Sequence, residues 1–571
     1  MFIGLDVGGT NTDAVLLNAT HTIVTSCKVP TTHHDVSIGI IGALQQLLQH
    51  QAPENIDRVC VSSTLALNAL LTKRYAPTGL LLVPGPGLAP RPEWQPPFTH
   101  IFPGAQDHLG NIIARPDKKK VLDALHTLIQ NDIQALGIVS KFSPKNPELE
   151  EWLKNIAEPL FPETFPIVLG NSLSGTLNFP RRVATTWCQA ALTDINSRFI
   201  TNLENAMRDL QLTCPLDILK ADGGTFAHTI AALNPANAIG SGPAASILGA
   251  LPEATPTHDS AIISIGGTTT DIAILAAGEP LMLREGLTVD GKPTLIKGMH
   301  TQSVALGGDS SLAYEDGHLV IKAERLGAAL CLNPDDIGKR PPTLTDALRI
   351  LDLHSLGHKH DAERALQPLA QTMQLSASET AQAVLDTALH TLTTTLEAFV
   401  TQLNSQPVYT IREIQHTDPL VPQEIILIGA PAPALAAPLE KTLGYTVTAP
   451  EDAGIANAIG AAIARPTVDA ELYADTGTGL MSIAPYGITK SINKRYSMEE
   501  ATTDITEALT TALRATYAQY ADSAIEQQES PVHIVFAETF HTLSGYSDRG
   551  KIFRLKAQVS PGVFSTTRGR V

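Results

Sequence analysis

Residues 4–17, GLDVGGTNTDAVLL, decide how the rest of the chain is read. Two adjacent glycines interrupt a strand pattern, with Asp6 before them and Asp13 after. Paired glycines weaken a strand and mark a tight turn or a place where another molecule approaches the backbone. The flanks at 2–5 and 14–17 read as short strands, so the segment is a β-hairpin whose bend carries Gly8, Gly9, Thr10, Asn11 and Thr12. Hydroxyls, an amide and backbone N–H groups at one bend suit phosphate oxygens, and Asp6 could hold a hydrated divalent cation against the same phosphates. Taken alone, the stretch also reads as an ordinary polar hairpin turn.

A second copy favours the phosphate reading. Residues 262–275, IISIGGTTTDIAIL, put Gly266, Gly267, Thr268, Thr270 and Asp271 where the first copy has Gly8, Gly9, Thr10, Thr12 and Asp13, with Thr269 completing the bend. Two such hairpins so far apart imply two related subdomains facing one nucleotide.

Composition sets the frame. A chain of 571 residues is too long for one core and implies three or four units. Its 43% hydrophobic content fits a soluble globular protein. A formal charge of −17 without a long basic run argues against nucleic acid or an anionic membrane as partner. Backbone N–H groups and a metal can still bind an anionic nucleotide locally. The five cysteines (Cys27, Cys60, Cys188, Cys214, Cys331) are scattered and lack CxxC spacing, so they read as reduced thiols and not as disulfides or a metal centre. With no basic leader pattern and no run near 18 apolar residues, the expected location is the cytoplasm.

Along the chain, residues 1–170 alternate strands (58–63, 78–83, 135–140) with helices (36–50, 64–74, 118–131, 147–157), an α/β layer order. The Pro-rich 84–97 reads as a loop and a candidate lid. A long helical stretch at 180–211 could bridge two halves. DILKADGGTF at 217–226 is a strand running into a glycine pair, and AIGSGPAASILGA at 238–250 a glycine turn leading into a small-residue helix. The second hairpin opens a β-rich section to about 323, and helices dominate 343–404. IILIGAPAPALAAPLEKTLG at 425–444 reads as strand, glycine turn and helix, where a helix start beside Gly429 could hold an adenine or ribose. IANAIGAAIA at 455–464 is a helix whose small residues permit a close crossing. The region from about 468 onward reads as an α+β appendage.

Three other motifs fail on inspection. GLTVDGKP at 286–293 fits the P-loop spacing, but Pro293 replaces the magnesium-binding hydroxyl and no helix is expected to follow. His354, His358, His360 and Asp361 cluster without HExxH or a distant third ligand and read as a solvated helix end. No G-x-S-x-G elbow occurs.

The two hairpins and the 425–444 turn resemble the actin-like ATPase superfamily, in which two phosphate hairpins, an adenosine motif and two crossing helices surround a cleft. On that pattern the crossing helices would lie near 183–200 and 455–464. A closer resemblance is to the A subunit of the hydantoinase/oxoprolinase family. It is carried by LDVGGTNTDAVL, STLALNALL (63–71), ADGGTF, AIGSGPAASILGA, GGTTTDIA, LGGDSS (306–311), PPTLTDALRIL (341–351) and ANAIGAAIA, in family order over about 2–465.

The fold this implies is α/β: two actin-like, ribonuclease H-like subdomains around a nucleotide cleft. The boundaries would be 1–175, 176–466 and a C-terminal α+β domain at 467–571. The implied activity is ATP-dependent hydrolysis of a cyclic amide, such as 5-oxoproline or a hydantoin, through a phosphorylated amide. ATP and Mg2+ would be the cofactors and a B-type subunit the partner. Asp6 and Asp271 would be catalytic and hold the metal; the glycines and threonines of both bends (8–12, 266–269) and Gly429 would bind nucleotide; Asn68, Asp222 and Gly223 would lie toward the substrate.

Four departures bear on this. Ser264 stands where relatives have a carboxylate, and Ala430 replaces a second glycine. Val61 stands for a histidine, and Lys220-Ala221 for a Gln-Ser pair. Losing a carboxylate near magnesium costs up to about 4 kcal/mol at an effective dielectric near 20. The competing readings are an actin-like chaperone or reactivating factor for another enzyme, and a nucleotide binder that has lost turnover.

Overall fold

The computed structural model describes the chain except for residues 10, 33–35, 50, 88–95, 323, 406–418, 518–531, 545–546, 560 and 565–571. Thr10 and most of the candidate lid therefore lie outside the described residues.

Both hairpins form, each in the middle of its own sheet. The first joins Phe2–Val7 to Asn11–Leu17 and the second Ser260–Ile265 to Thr270–Ala276. Both strands of the first are longer than the sequence suggested, so Asn11 and Thr12 belong to the returning strand. Phe2–Val7 is buried at every residue, as an apolar run covered on both sheet faces requires. It pairs in parallel with Arg58–Ser63, which pairs in parallel with Leu216–Leu219; on its other side, Asn11–Leu17 pairs antiparallel with Ile23–Pro30. The second sheet repeats this order, with Glu424–Ile428 and then Thr446–Thr448 parallel to Ser260–Ile265, and Thr301–Val304 antiparallel to Thr270–Ala276. The resemblance between the two subdomains thus extends from a few bend residues to whole-sheet topology.

The lobes meet through two short helices, Ser241–Ala250 and Ala456–Ile463. A Cβ on Gly249 would lie 1.9 Å from the Ala456 carbonyl oxygen, and one on Gly460 2.0 Å from that of Ala245. The backbones therefore touch, and only glycine fits. This corrects the expectation for 183–200. That segment belongs to the 31-residue helix Phe179–Asp209, which spans two other cores. Phe199, Ile200, Leu203 and Met207 pack into the first lobe, while Phe179, Val183 and Trp187 pack with Leu80, Leu82 and Val139.

Those last residues belong to a four-stranded parallel sheet, Thr78–Val83, Thr99–Ile101, Ala135–Ser140 and Ile167–Leu169, inserted within the first lobe. Helices Leu344–Ile350, Lys359–Met373 and Ala377–Asn404 cover the second lobe. The 286–293 stretch makes a small hairpin, Thr288–Val289 against Lys292–Pro293, with positive φ at Asp290 and Gly291. That backbone belongs to a tight hairpin turn and not to a phosphate loop.

The C-terminal unit is a five-stranded antiparallel sheet carrying the helix Met498–Tyr517, with its own core. It is less separate than the sequence suggested. Its tail returns to the first lobe, where Val563 bridges Ala464 and Phe564 packs against Phe2, Val15, Leu17, Ile459 and Ile463. Among the described residues no helix is long and apolar enough to cross a membrane.

Candidate functional site

Each bend closes on the same backbone bond: Gly8 N donates to Asn11 O at 3.1 Å, and Gly266 N to Thr269 O at 2.9 Å. The registers also match. Asp6 lies opposite Asp13, which lies opposite Lys28; Ser264 lies opposite Asp271, which lies opposite Ser303. Lys28 Nζ is 2.7 Å from Asp13, and the Ser303 hydroxyl donates to Asp271. The second row thus lacks both one acid and one base of the first. Each row keeps one net negative charge.

Asp6 is buried, and burial pushes its pKa up to about 6 against the opposing hydrogen bond from Asn457. Burial likewise raises Asp13 and Asp271, with Lys28 and Ser303 respectively pulling them down. Asn457 Nδ2 donates to Asp6 Oδ2 at 3.0 Å. Ser246 Oγ donates to Asn457 Oδ1 at 2.8 Å, and Ser264 Oγ donates to Ser246 Oγ at 3.0 Å. Ser246 and Asn457 sit on the two crossing helices, so one donor chain runs from Ser264 in the second lobe to Asp6 in the first. It occupies one carboxylate oxygen and leaves Asp6 Oδ1 buried without a hydrogen-bond partner.

Around the second bend three segments converge. Gly308 N donates to Gly266 O at 3.0 Å and Asp309 N to Gly267 O at 2.7 Å, laying the 306–311 loop along the bend. Gly429 has φ +98°, and a Cβ there would lie 2.0 Å from Ile265 O. Its turn is thereby pressed against the hairpin, and the helix Ala432–Leu443 begins beside the bend. Ala430 is exposed.

The bends and their aspartates fit a magnesium–nucleotide. Buried Asp6 Oδ1 is an unsatisfied acceptor, and neither glycine pair carries a side chain that would obstruct phosphates. Magnesium usually takes one or two carboxylates and fills its shell with phosphate and water. A larger protein cage is not needed, and among the described residues no three His, Cys, Asp or Glu side chains gather as one.

A separate polar cavity of about 300 Å³ lies where the segment after the inserted sheet, the first lobe, the 284–297 segment of the second lobe and the C-terminal unit meet. Among the described residues four ion pairs line it: Lys220–Asp222 at 3.1 Å, Lys297–Asp469 at 2.7 Å, Lys556–Glu471 at 2.7 Å, and Arg181–Glu285. Lys220 follows the end of Leu216–Leu219, at the same sheet edge as the Gly8 bend. Ligands of parallel α/β sheets bind beyond such strand ends.

The structure does not bring the sequence candidates together as one group. Asp6, Gly8, Gly9 and Asn11 lie on the first hairpin and Gly266, Gly267, Thr268, Thr269 and Asp271 on the second, with Gly429 against it. Thr12 is buried and bonds Thr31 at 3.2 Å, so its hydroxyl is engaged inside the lobe. Of the substrate-side trio, Asp222 lines the cavity, Asn68 stands beside the Gly9 bend, and Gly223 packs against Met299. Sequence reasoning missed Asn457, Ser246 and the cavity residues Lys297, Asp469, Glu471 and Lys556. For Asn457 a signal existed, because it is the one polar residue in ANAIGAAI.

Comparisons with known proteins agree with this architecture. The model for the hydantoinase/oxoprolinase N-terminal region matches residues 2–161, and that for hydantoinase/oxoprolinase matches 182–470. Caprolactamase subunit alpha of Pseudomonas jessenii is 26% identical over 471 residues, 75% of this chain and 64% of its own. Acetophenone carboxylase gamma subunit of Aromatoleum aromaticum is 24% identical over 438 residues, 66% of this chain and 58% of its own. The chain thus spans less than two thirds of these curated relatives. Among solved structures, nucleotide-free acetone carboxylase superposes with TM-score 0.75 at 16% identity, covering 99% of this chain and 88% of the other. The ATP-dependent caprolactamase from Pseudomonas jessenii gives 0.68 at 16%, covering 97% and 87%. At such identities the likeness establishes the fold.

Proposed function

The chain belongs to the hydantoinase/oxoprolinase family, and from that premise we propose that it is an ATP-dependent hydrolase of a small cyclic amide, working with a B-type subunit. The observation that carries this reading is the matched register of two glycine bends on sheets of the same strand order, coupled by one hydrogen-bond chain through crossing helices. Such a pair grips a triphosphate from two sides.

An amide carbon is a poor electrophile, and transferring a phosphoryl group to its oxygen corrects that. The amide oxygen attacks the γ-phosphorus and ADP leaves; water then adds at carbon, the C–N bond breaks as the nitrogen takes a proton, and a second water hydrolyses the resulting acyl phosphate to carboxylate and phosphate. Cyclic amide, ATP and two waters become the open amino acid, ADP and phosphate. In this reading Asp6 and Asp271 orient the metal and the attacking oxygen, the two bends hold the β- and γ-phosphates, and the Gly429 turn receives the nucleoside. Bound Mg2+ supplies charge neutralisation at those phosphates. The polar cavity, with Asp222 in its wall, takes the amide. A relative named caprolactamase subunit alpha supports a lactam acceptor and a partner subunit.

The test is phosphate release by the purified chain, alone and with a B-type partner, across a panel of small lactams, hydantoins and 5-oxoproline. Magnesium-dependent release stimulated by a cyclic amide supports the reading. Ser264 favours one alternative, nucleotide binding without turnover; tight ATP binding with no release under any condition would establish it. Stimulation only by an unrelated protein would point instead to a reactivating role.

A further inference from the structure

The loop 306–311 carries an acid for which the first lobe's bend has no counterpart among the described residues. Asp309 Oδ2 lies 3.2 Å from where a Cβ on Gly267 would stand, so the carboxylate is held at the mouth of the second bend. The loop's backbone is fastened there. Asp309 N is bonded to Gly267 O at 2.7 Å, Gly308 N to Gly266 O at 3.0 Å, and Gly307 N to Ser310 Oγ at 2.9 Å. A Cβ on Gly307 would sit 2.4 Å from the Gly267 carbonyl carbon, so loop and bend are in backbone contact. The charge of Asp309 is met by Arg325, whose Nε is 2.9 Å from Oδ2.

An anion fixed at a phosphate-binding bend repels a triphosphate unless a cation stands between them. Meanwhile the position that matches Asp6, Ser264, is neutral and spends its hydroxyl on Ser246. The second lobe has therefore lost a carboxylate from its strand and presents another from its loop, paired with a guanidinium suited to phosphate oxygens.

We propose that Asp309 supplies the metal-side carboxylate that position 264 lacks, and that Arg325 contacts the terminal phosphates once bound nucleotide separates the pair. This rests on the nucleotide reading above and adds to it two residues and a division of labour. Asp309 faces the hydrated cation. Arg325 faces the phosphate oxygens whether or not the cation is present.

The full-length protein tests this without turnover, using Mn2+ as an electron-paramagnetic-resonance probe and β,γ-imido-ATP as the nucleotide, with calorimetric titration of the nucleotide in EDTA alongside. In Asp309→Asn, Mn2+ affinity of the nucleotide complex falls at least tenfold, while metal-free nucleotide binds as tightly as in wild type or tighter. In Arg325→Gln, nucleotide affinity falls about tenfold with and without metal. Mn2+ affinity within twofold of wild type in Asp309→Asn overturns the proposal, leaving the pair as a fastening for the loop. So does an equal loss of nucleotide affinity with and without metal in Asp309→Asn. If Asp309→Asn does not fold, Arg325→Gln decides: unchanged nucleotide affinity overturns the proposal. Wild-type protein that binds no nucleotide removes the underlying reading, a result distinct from a variant that matches a binding-competent wild type.

Discussion

At the residue scale the site turns on Asp6. Its carboxyl is raised from 3.8 to about 6 by burial, so the folded protein holds the ionised form less comfortably than the unfolded chain does. A raised carboxyl destabilises above its folded pKa, and the penalty fades as pH falls toward the unfolded value. The difference amounts to about 3 kcal/mol near neutrality. Asp6→Asn is accordingly expected to abolish magnesium-dependent ATP turnover yet melt higher than wild type at pH 8, with the gap narrowing at pH 5. Thermal denaturation at both values, beside a phosphate-release assay, checks this; full turnover in the variant would refute the metal role. Asn457→Ala leaves Asp6 Oδ2 without its donor. A hydrogen bond to a charged group contributes about 1.5–3 kcal/mol, so a ten- to hundredfold fall in kcat is expected. The departure at position 264 also looks different at this scale. Where Asp13 faces Lys28, Asp271 faces Ser303, so the missing acid is matched by a missing base and the row keeps its net charge.

At the element scale the crossing helices are the part most sensitive to a single methyl. Gly460→Ala drives a Cβ to 2.0 Å from Ala245 O, a backbone atom that cannot move aside. About 3 kcal/mol of destabilisation is expected, toward the upper end for overpacking, measured by urea unfolding. Gly454, in the 3-10 turn Ala453–Ile455 that precedes the helix, has nothing within 4 Å of its Cβ site, and Gly454→Ala should stay within about 0.5 kcal/mol. The same contrast explains what the sequence made legible. The bends could be found because their glycines, threonines and aspartates recur at identical local spacing. The partner of Ala456–Ile463 could not, because Ser241–Ala250 mixes small, apolar and serine residues around its circumference, with no stripe to say what it faces. The strongly patterned 180–211 stretch drew the assignment instead. Asp469 and Glu471 were hidden for a related reason: alternate residues on an antiparallel strand read as an ordinary polar face, and only topology turns them toward the cavity.

At the scale of the whole molecule, the C-terminal unit closes back onto the lobe where the chain begins. Arg58, buried in the strand beside Phe2–Val7, holds Asp217 at 2.8 Å and donates to Ala464 O at 2.7 Å, where the helix Ala456–Ile463 ends. The Phe564 ring lies 5.7 Å from that guanidinium and stacks with His21. Arg465 N bonds Gly562 O at 3.0 Å and Phe564 N bonds Ile463 O at 2.9 Å, so the tail extends the seam along the helix end. The first hairpin and a crossing helix therefore share their packing with the tail, which for the hairpin is almost a full chain length away. Phe564→Ala removes a ring 3% exposed and should cost about 3–5 kcal/mol. The location of the loss distinguishes this arrangement from a loosely tethered appendage. Hydrogen exchange should quicken in Asn11–Leu17 and Ala456–Ile463, while Leu480–Ala484, inside the C-terminal sheet, keeps its protection. Faster exchange confined to the C-terminal sheet would mean that the tail stabilises only its own unit.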